Sequence, residues 1–347
     1  MFQEKLKEHN HLVSSHGGIH VSIYLKNDKS IALRLKRLIK QSQSIIDNNC
    51  EPGDCQPIKI DPKEILLEVT KNYNSFQSVG VFINSNFTKV VPLPWRVEDF
   101  SVVSSSFHVK PLLAWLQREY KAYYLWSNNY KIQLYEVSPR ENTLVAEFVR
   151  DFSKVENSAD EIAKLNIETA DWLNMEIEPL VLGNRSIYVR DSKDNILLNS
   201  IAKEFKRIKK FHFLSDSGDF DFSSNVQRIR QKEREKVREK LRRNYNINLE
   251  NEMPSHTISS DLNEILKASI ENRVSQIFMA YDENIFGKID YGSKTAKLTY
   301  VHKDHEDDDL LDDIAQITMQ NGVTPIFLKK EDMEEGQPII ALIKSKT

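Results

Sequence analysis

Between Val226 and Arg243 the chain carries nine lysines and arginines against three glutamates, a local balance of +6. Cationic side chains at that density meet phosphate, and arginine holds two phosphate oxygens at once. The apolar positions Val226, Ile229, Val237 and Leu241 give one narrow helical seam, leaving Arg228, Lys232, Arg234, Arg238 and Arg242 to meet RNA. The same spacing suits a solvated helix laced with Glu/Arg pairs, each worth about 0.3–0.5 kcal/mol. Lys203, Lys206, Arg207, Lys209 and Lys210 form a second basic cluster with the same two readings.

The remaining chemistry-bearing residues are sparser. Cys50 and Cys55, with His9, His11, His16 and His20, supply half a zinc site, but no second Cys-x-x-Cys or His-x-x-x-His completes it. Asp307, Asp308, Asp309, Asp312 and Asp313 straddle an expected helix start, where carboxylates suit the helix dipole and are expected to be solvated. His108 has no organised partner in sequence and reads as structural. Neither the phosphate-binding loop G-x-x-x-x-G-K-[ST], nor G-x-G-x-x-G after a strand, nor G-x-S-x-G is present, so nucleotide-binding and hydrolase motifs are missing. No cofactor is expected.

These residues sit in a chain of 347, 40% hydrophobic and 29% charged, long enough for two or three globular domains and unlike a disordered or collagen-like sequence. No stretch approaches the roughly 18 apolar residues of a membrane span, and the opening residues are charged where a signal peptide is apolar. A cytoplasmic protein with no membrane partner is expected, and two cysteines agree with a reducing compartment. From Asn248 to Thr347 the balance is −9. Such a surface repels phosphate, so its partner is expected to be a protein.

The periodicity predicts the positioning elements. Ile19–Leu25 alternates as a half-buried strand, followed by a helix from Ser30, its expected N-cap, to Ile46. Asp61-Pro62 opens another helix to about Tyr73. Strands are expected at 79–83, 88–93 and 99–103, with a short helix near Phe107–Leu113. Strands 122–127 and 131–136 start a new sheet, a helix spans about 158–174, and Pro179–Gly183 reads as a buried strand. Helices at 262–272 and 310–321 and strands at 274–281, 324–328 and 338–343 alternate as an α/β sandwich.

Several of these segments together resemble a known family. Val21–Leu25, Arg34–Ile39, Gly80–Ile83, Val90–Pro94 and Phe107–Leu113 look like the N-terminal domain of the bacterial archaeo-eukaryotic-release-factor-like proteins. Pro179–Asn184 looks like their middle domain. Leu310–Ala315, Gly322–Phe327 and Gly336–Ile343 look like the Pelota-type C-terminal domain. The pattern is similar in kind to Pelota and Balon within the class-I release factor superfamily. The resemblance implies an α/β protein of three-domain, release-factor/Pelota-like architecture, mixed sheets with packed helices: an N-terminal domain over 1–120, a middle domain over 121–222, and a Pelota-type domain with a basic entry helix over 223–347. It implies a factor that enters the ribosomal A site, with the C-terminal domain meeting a translational GTPase such as EF-Tu.

Two departures shape the expectation. Release factors of this superfamily hydrolyse peptidyl-tRNA with Gly-Gly-Gln, and no such tripeptide is present; after Val137 the chain has Ser138-Pro139-Arg140-Glu141-Asn142 instead. Asn27-Asp28-Lys29-Ser30 matches three letters of the codon-reading Asn-Ile-Lys-Ser, which makes Lys29 an RNA-contact candidate, and the same letters also suit a polar loop before a helix. The expected function is a non-catalytic ribosome-binding translation factor of the hibernation or rescue type. An RNA-processing nuclease using middle-domain carboxylates and a protein-binding stress-response scaffold remain as alternatives.

Overall fold

The computed structural model describes residues 2–49, 58, 60–72, 76–127, 131–149, 159–182, 185–191, 211–215, 221–250, 255–299 and 307–345. In chain order its elements are α1 (Phe2–Glu8), α2 (Asn10–Val13), β1 (His16–Lys26), α3 (Ile31–Asn49), α4 (Pro62–Asn72), β2 (Ser78–Ile83), β3 (Thr88–Leu93), β4 (Phe100–Ser106) and α5 (Lys110–Gln117). Then follow β5 (Ala122–Ser127), β6 (Lys131–Val137), β7 (Asn142–Val149), α6 (Ala159–Leu182), β8 (Ser186–Asp191), β9 (Phe211–Ser215) and α7 (Phe222–Glu250). The chain continues through β10 (His256–Ser259), α8 (Leu262–Ile270), β11 (Val274–Ala280), β12 (Phe286–Asp290), β13 (Thr295–Leu298), β14 (Asp308–Asp309), α9 (Leu310–Gln320), β15 (Ile326–Leu328) and β16 (Ile339–Lys344). The fold is mixed α/β. It divides into two compact units, Met1–Arg118 together with Arg238–Thr347, and Glu119–Val237.

In the first unit the antiparallel sheet β3-β2-β1-β4 has β1 at its centre, with Val21 opposite Ile83 on one side and Val103 on the other. Odd positions Val21, Ile23 and Leu25 pack with Leu35, Leu38, Ile65 and Val69 of α3 and α4. The expectation of a half-buried strand is corrected here, because His20, Ser22 and Tyr24 are buried too. Their face is covered by α5 and by apolar residues from beyond residue 260, including Leu311 and Ile314 of α9, in one shared core. β1 also begins earlier than its alternation suggests. Gly17 and Gly18 adopt positive φ (84° and 75°) in a bulge between His16 and His20, a conformation glycine takes without penalty. Two further sheets, β10-β16-β11-β15 and β13-β12-β14, complete this unit.

The second unit is the sheet β7-β6-β5-β8-β9, antiparallel from β7 to β5 and parallel from β5 to β9. One face packs on Leu173, Ile177 and Leu180 of α6, the other on Val226 and Ile229 of α7. The strand expected at Pro179–Gly183 is corrected: its residues up to Leu182 close α6, with Pro179 inside the helix, and the parallel strand is β8, starting at Ser186. The reason is the spacing of Leu173, Ile177 and Leu180, which is that of one helical face. α7 starts where the Asp221 carboxylate accepts the Ser224 N–H at 2.8 Å.

Candidate nucleic-acid interface

α7 runs 29 residues, longer than the basic run that announces it. Within the second unit Val226 and Ile229 are buried in its core, as the seam requires, and Lys232 and Arg234 are exposed. Arg228 is half-buried. Arg230 turns inward, its Nε donating to the Ser138 carbonyl at 3.0 Å.

Two further residues of this stretch are committed to a network. Glu233, 6% exposed, accepts the Tyr188 hydroxyl at 2.7 Å and pairs with Lys236 at 2.8 Å. Lys236 also lies 2.8 Å from His212 Nε2 and 3.0 Å from the Tyr188 hydroxyl. Burial and the neighbouring Lys236 ammonium hold the His212 pKa below its ordinary value, so His212 accepts from Lys236 as a neutral ring. The network fastens α7 to β8 and β9.

The helix continues into the first unit, where Leu241 and Tyr245 join a core with Phe278, Leu328 and Leu342. Arg242, Lys240 and Arg243 are exposed. Arg238 is committed elsewhere, because its Nε and Nη2 reach both Asp332 oxygens at 2.8 Å and Nη2 reaches Glu331 at 2.7 Å. Those bonds raise its pKa further. A guanidinium already in bidentate contact with a buried carboxylate is not available to a phosphate without leaving that carboxylate unpaired. Of the five arginines and lysines assigned to RNA on this helix, Lys232, Arg234, Arg238 and Arg242 are exposed, and Arg238 is the one held by Asp332 and Glu331.

Lys29 is exposed on the loop between β1 and α3, beside a shallow groove lined with Lys63 and Leu67 of α4. The Asp28 carboxylate holds the loop, accepting the Ser30 N–H and Arg34 Nη1, each at 2.8 Å, while Arg34 Nε pairs with Asp99 at 2.8 Å. Lys203, Lys206, Arg207, Lys209 and Lys210 lie outside the described residues, as do Cys50 and Cys55. Three of the N-terminal histidines pack edge-on against aromatic rings, His9 on Trp115, His11 on Phe87 and His20 on Phe107. Among the described residues no group of His, Cys, Asp or Glu is arranged to hold a metal ion.

The acidic run departs most from its expectation. Asp307, Asp309 and Asp312 are buried, not solvated. The ammonium of Lys110, itself 0% exposed, donates to Asp309 and to the Glu283 carbonyl, and reaches Asn284 Oδ1 at 3.0 Å. Asp312 Oδ1 accepts the N–H groups of Val109, at 2.9 Å, and Lys110, which are the first donors of α5. Val109 has no side chain able to cap that helix, so Asp312 of α9 caps it from about 200 positions away. His108 is buried as expected of a structural residue, its ring 3.7 Å from Asp309 and 3.9 Å from Asp312. Burial and the Asp309 charge push the Asp312 carboxyl up to about 7. Sequence reasoning missed Lys110; the one available signal was a lysine placed inside the apolar run Val109–Leu116.

Between β6 and β7 the chain makes a four-residue hairpin turn, Ser138–Glu141. The Ser138 N–H donates to the Glu141 carbonyl at 2.9 Å, and the Ser138 hydroxyl accepts the N–H groups of Arg140 and Glu141 at 3.2 and 3.1 Å. Among the described residues no helix is long and apolar enough to cross a membrane.

No protein-family model matches the chain, and no curated protein matches it. Among solved structures it is similar to Archaeoglobus fulgidus Pelota, at 11% identity and a TM-score of 0.40, over 97% of this chain and 91% of that one. It is similar to Saccharomyces cerevisiae Dom34, described as a translation termination-like factor interacting with Hbs1, at 11% identity and a TM-score of 0.35, over 99% and 93%. It is also similar to an archaeal translation termination factor, aRF1, at 10% identity and a TM-score of 0.27, over 99% and 97%.

Proposed function

We propose that the chain is a non-catalytic ribosome-binding translation factor of the hibernation or rescue type that occupies the A site. Its contacts to ribosomal RNA come from Lys232, Arg234 and Arg242 of α7, with Lys29 and the basic cluster over Lys203–Lys210 as further contacts. The observation that carries this reading is the exposed charge of Lys232 and Arg234 on a helical segment packed into its core through Val226 and Ile229, and of Arg242 on a segment packed through Leu241 and Tyr245. Rigid anchoring matters because a phosphate contact gains little if the chain must be ordered to make it. The tight turn at Ser138–Glu141, without Gly-Gly-Gln, supports a factor that occupies the ribosome and leaves the peptidyl ester intact. The excess of acid from Asn248 to Thr347, which outlasts the burial of Asp307, Asp309 and Asp312, supports a protein partner for that stretch, a translational GTPase such as EF-Tu.

Sucrose-gradient sedimentation with purified ribosomes tests this reading. Co-migration with the 70S particle is expected, and it weakens as salt rises. Migration at the top of the gradient at low salt, or cleavage of RNA by the purified protein, overturns it.

A further inference from the structure

Within the second unit α7 is held in two ways along its length. Phe222, Val226 and Ile229 share an apolar core with Tyr188 and Leu214, and Ile229 is the last of them. One turn further on, Glu233 and Lys236 reach β8 and β9 through hydrogen bonds. The Lys236 ammonium lies 2.8 Å from Glu233 Oε1, 2.8 Å from His212 Nε2, 3.0 Å from the Tyr188 hydroxyl and 3.2 Å from Ser186 Oγ. Glu233 accepts the Tyr188 hydroxyl in turn.

An ammonium donates and never accepts, so His212 meets Lys236 with a lone pair on Nε2 and carries its proton on Nδ1. A second proton on the ring takes that lone pair and sets a positive charge 2.8 Å from Lys236. The groups around the ring decide whether it can be borne. From α7, Lys236 and Lys232 oppose the imidazolium and Glu233 favours it. From β8, the Tyr188 ring lies against His212 with centroids 5.0 Å apart, and Ser186 adds a hydroxyl at the ammonium. The Glu233 carboxylate is already engaged by Tyr188 and Lys236, and burial disfavours a charged ring, so the balance falls against the imidazolium. His212 in the folded chain therefore titrates below the ordinary value of about 6.5. What the contact contributes is present above that value and is lost as pH falls below it.

We propose that Glu233, Lys236 and His212 form a latch that acid opens: protonation of His212 breaks its bond to Lys236 and loosens residues 231–237 of α7 from β8 and β9. The preceding part of the helix stays fixed through Val226, Ile229 and the bond from Arg230 to the Ser138 carbonyl. Lys232 and Arg234 stand on the stretch that loosens, so the latch regulates how firmly the cations assigned to ribosomal RNA are held. That consequence rests on the function proposed above; the latch itself does not.

The test uses the full chain and two readouts that need no ribosome, so the latch and the proposed function fail separately. In a nuclear magnetic resonance titration of the histidine rings, His212 is identified by its contacts to the Tyr188 ring and by its loss in His212→Gln. Its midpoint is expected to lie well below about 6.5, and to move up in Lys236→Met. Glutamine can accept from Lys236 but does not titrate. At about pH 5.5 the amides of residues 231–237 are therefore expected to exchange hydrogen about threefold or more faster in wild type than in His212→Gln, and at about pH 7.5 equally fast. The wild-type midpoint decides alone if a variant does not fold. A His212 midpoint at or above about 6.5, an unmoved midpoint in folded Lys236→Met, or equal exchange by wild type and folded His212→Gln in acid overturns the proposal.

Discussion

At the scale of single residues, the division between exposed and committed cations has direct consequences. Replacing Arg238 by Ala strands Asp332, 7% exposed, without its bidentate partner. A loss of about 1–3 kcal/mol in stability is expected, with the salt dependence of ribosome binding unchanged; denaturant unfolding and binding titrations read the two effects separately. Replacing Lys232 and Arg234 by Glu should do the reverse. The raised carboxyls at α9 give a second expectation. The folded state keeps protons on Asp308 and Asp312 that the unfolded chain releases near pH 4. The contribution of these two carboxyls to stability is therefore greatest in acid and falls as pH rises through about 6 for Asp308 and about 7 for Asp312. Asp308→Asn should melt higher than wild type at pH 8 and equal to it near pH 4, measured by circular dichroism. Sequence could announce the basic run, because charge density is local. It could not separate Arg238 from Arg242, because Asp332 meets Arg238 from 94 positions away.

At the scale of elements, α5 shows why the acidic run is buried against expectation. Its own N-terminus, His108-Val109-Lys110-Pro111, offers Pro for the first turn but no side-chain cap, and the cap comes from α9. Local propensity therefore places the helix near Phe107–Leu113 and is silent on what satisfies it. Lys110→Met leaves Asp309 buried without its cation, and a loss of about 3–5 kcal/mol is expected; Lys110→Met combined with Asp309→Leu should recover much of it. Equal losses in the single and double variants, measured by denaturant unfolding, would contradict a paired latch. α6 teaches the converse. Pro179 and the apolar run after it read as a strand entry, but the helical spacing from Leu173 to Leu180 sets the face against the sheet. The hairpin turn at Ser138–Glu141 carries the chemical expectation at this scale. Purified protein should release no peptide from ribosomal complexes at any codon, and stoichiometric release above a factor-free control would show that another element does the work of the missing tripeptide.

At the scale of the whole molecule, strand periodicity and helix spacing made the mixed α/β character legible, and most strands fall within a few residues of their expected bounds. What sequence could not provide was the shared core in which Tyr24 and Phe107 meet Leu311 and Ile314, since each of those side chains is equally consistent with a core of its own segment. Ribosome binding through the exposed cations of α7 is electrostatic, and its salt dependence measures it. Affinity for purified 70S ribosomes would be determined across a range of salt for wild type and for the combined Lys232→Glu, Arg234→Glu and Arg242→Glu variant. The expected result is a log–log slope shallower by about two to three in the variant, with weaker binding at low salt, as three phosphate contacts are lost. Identical slopes and affinities for the two proteins, or no binding by either, would contradict it.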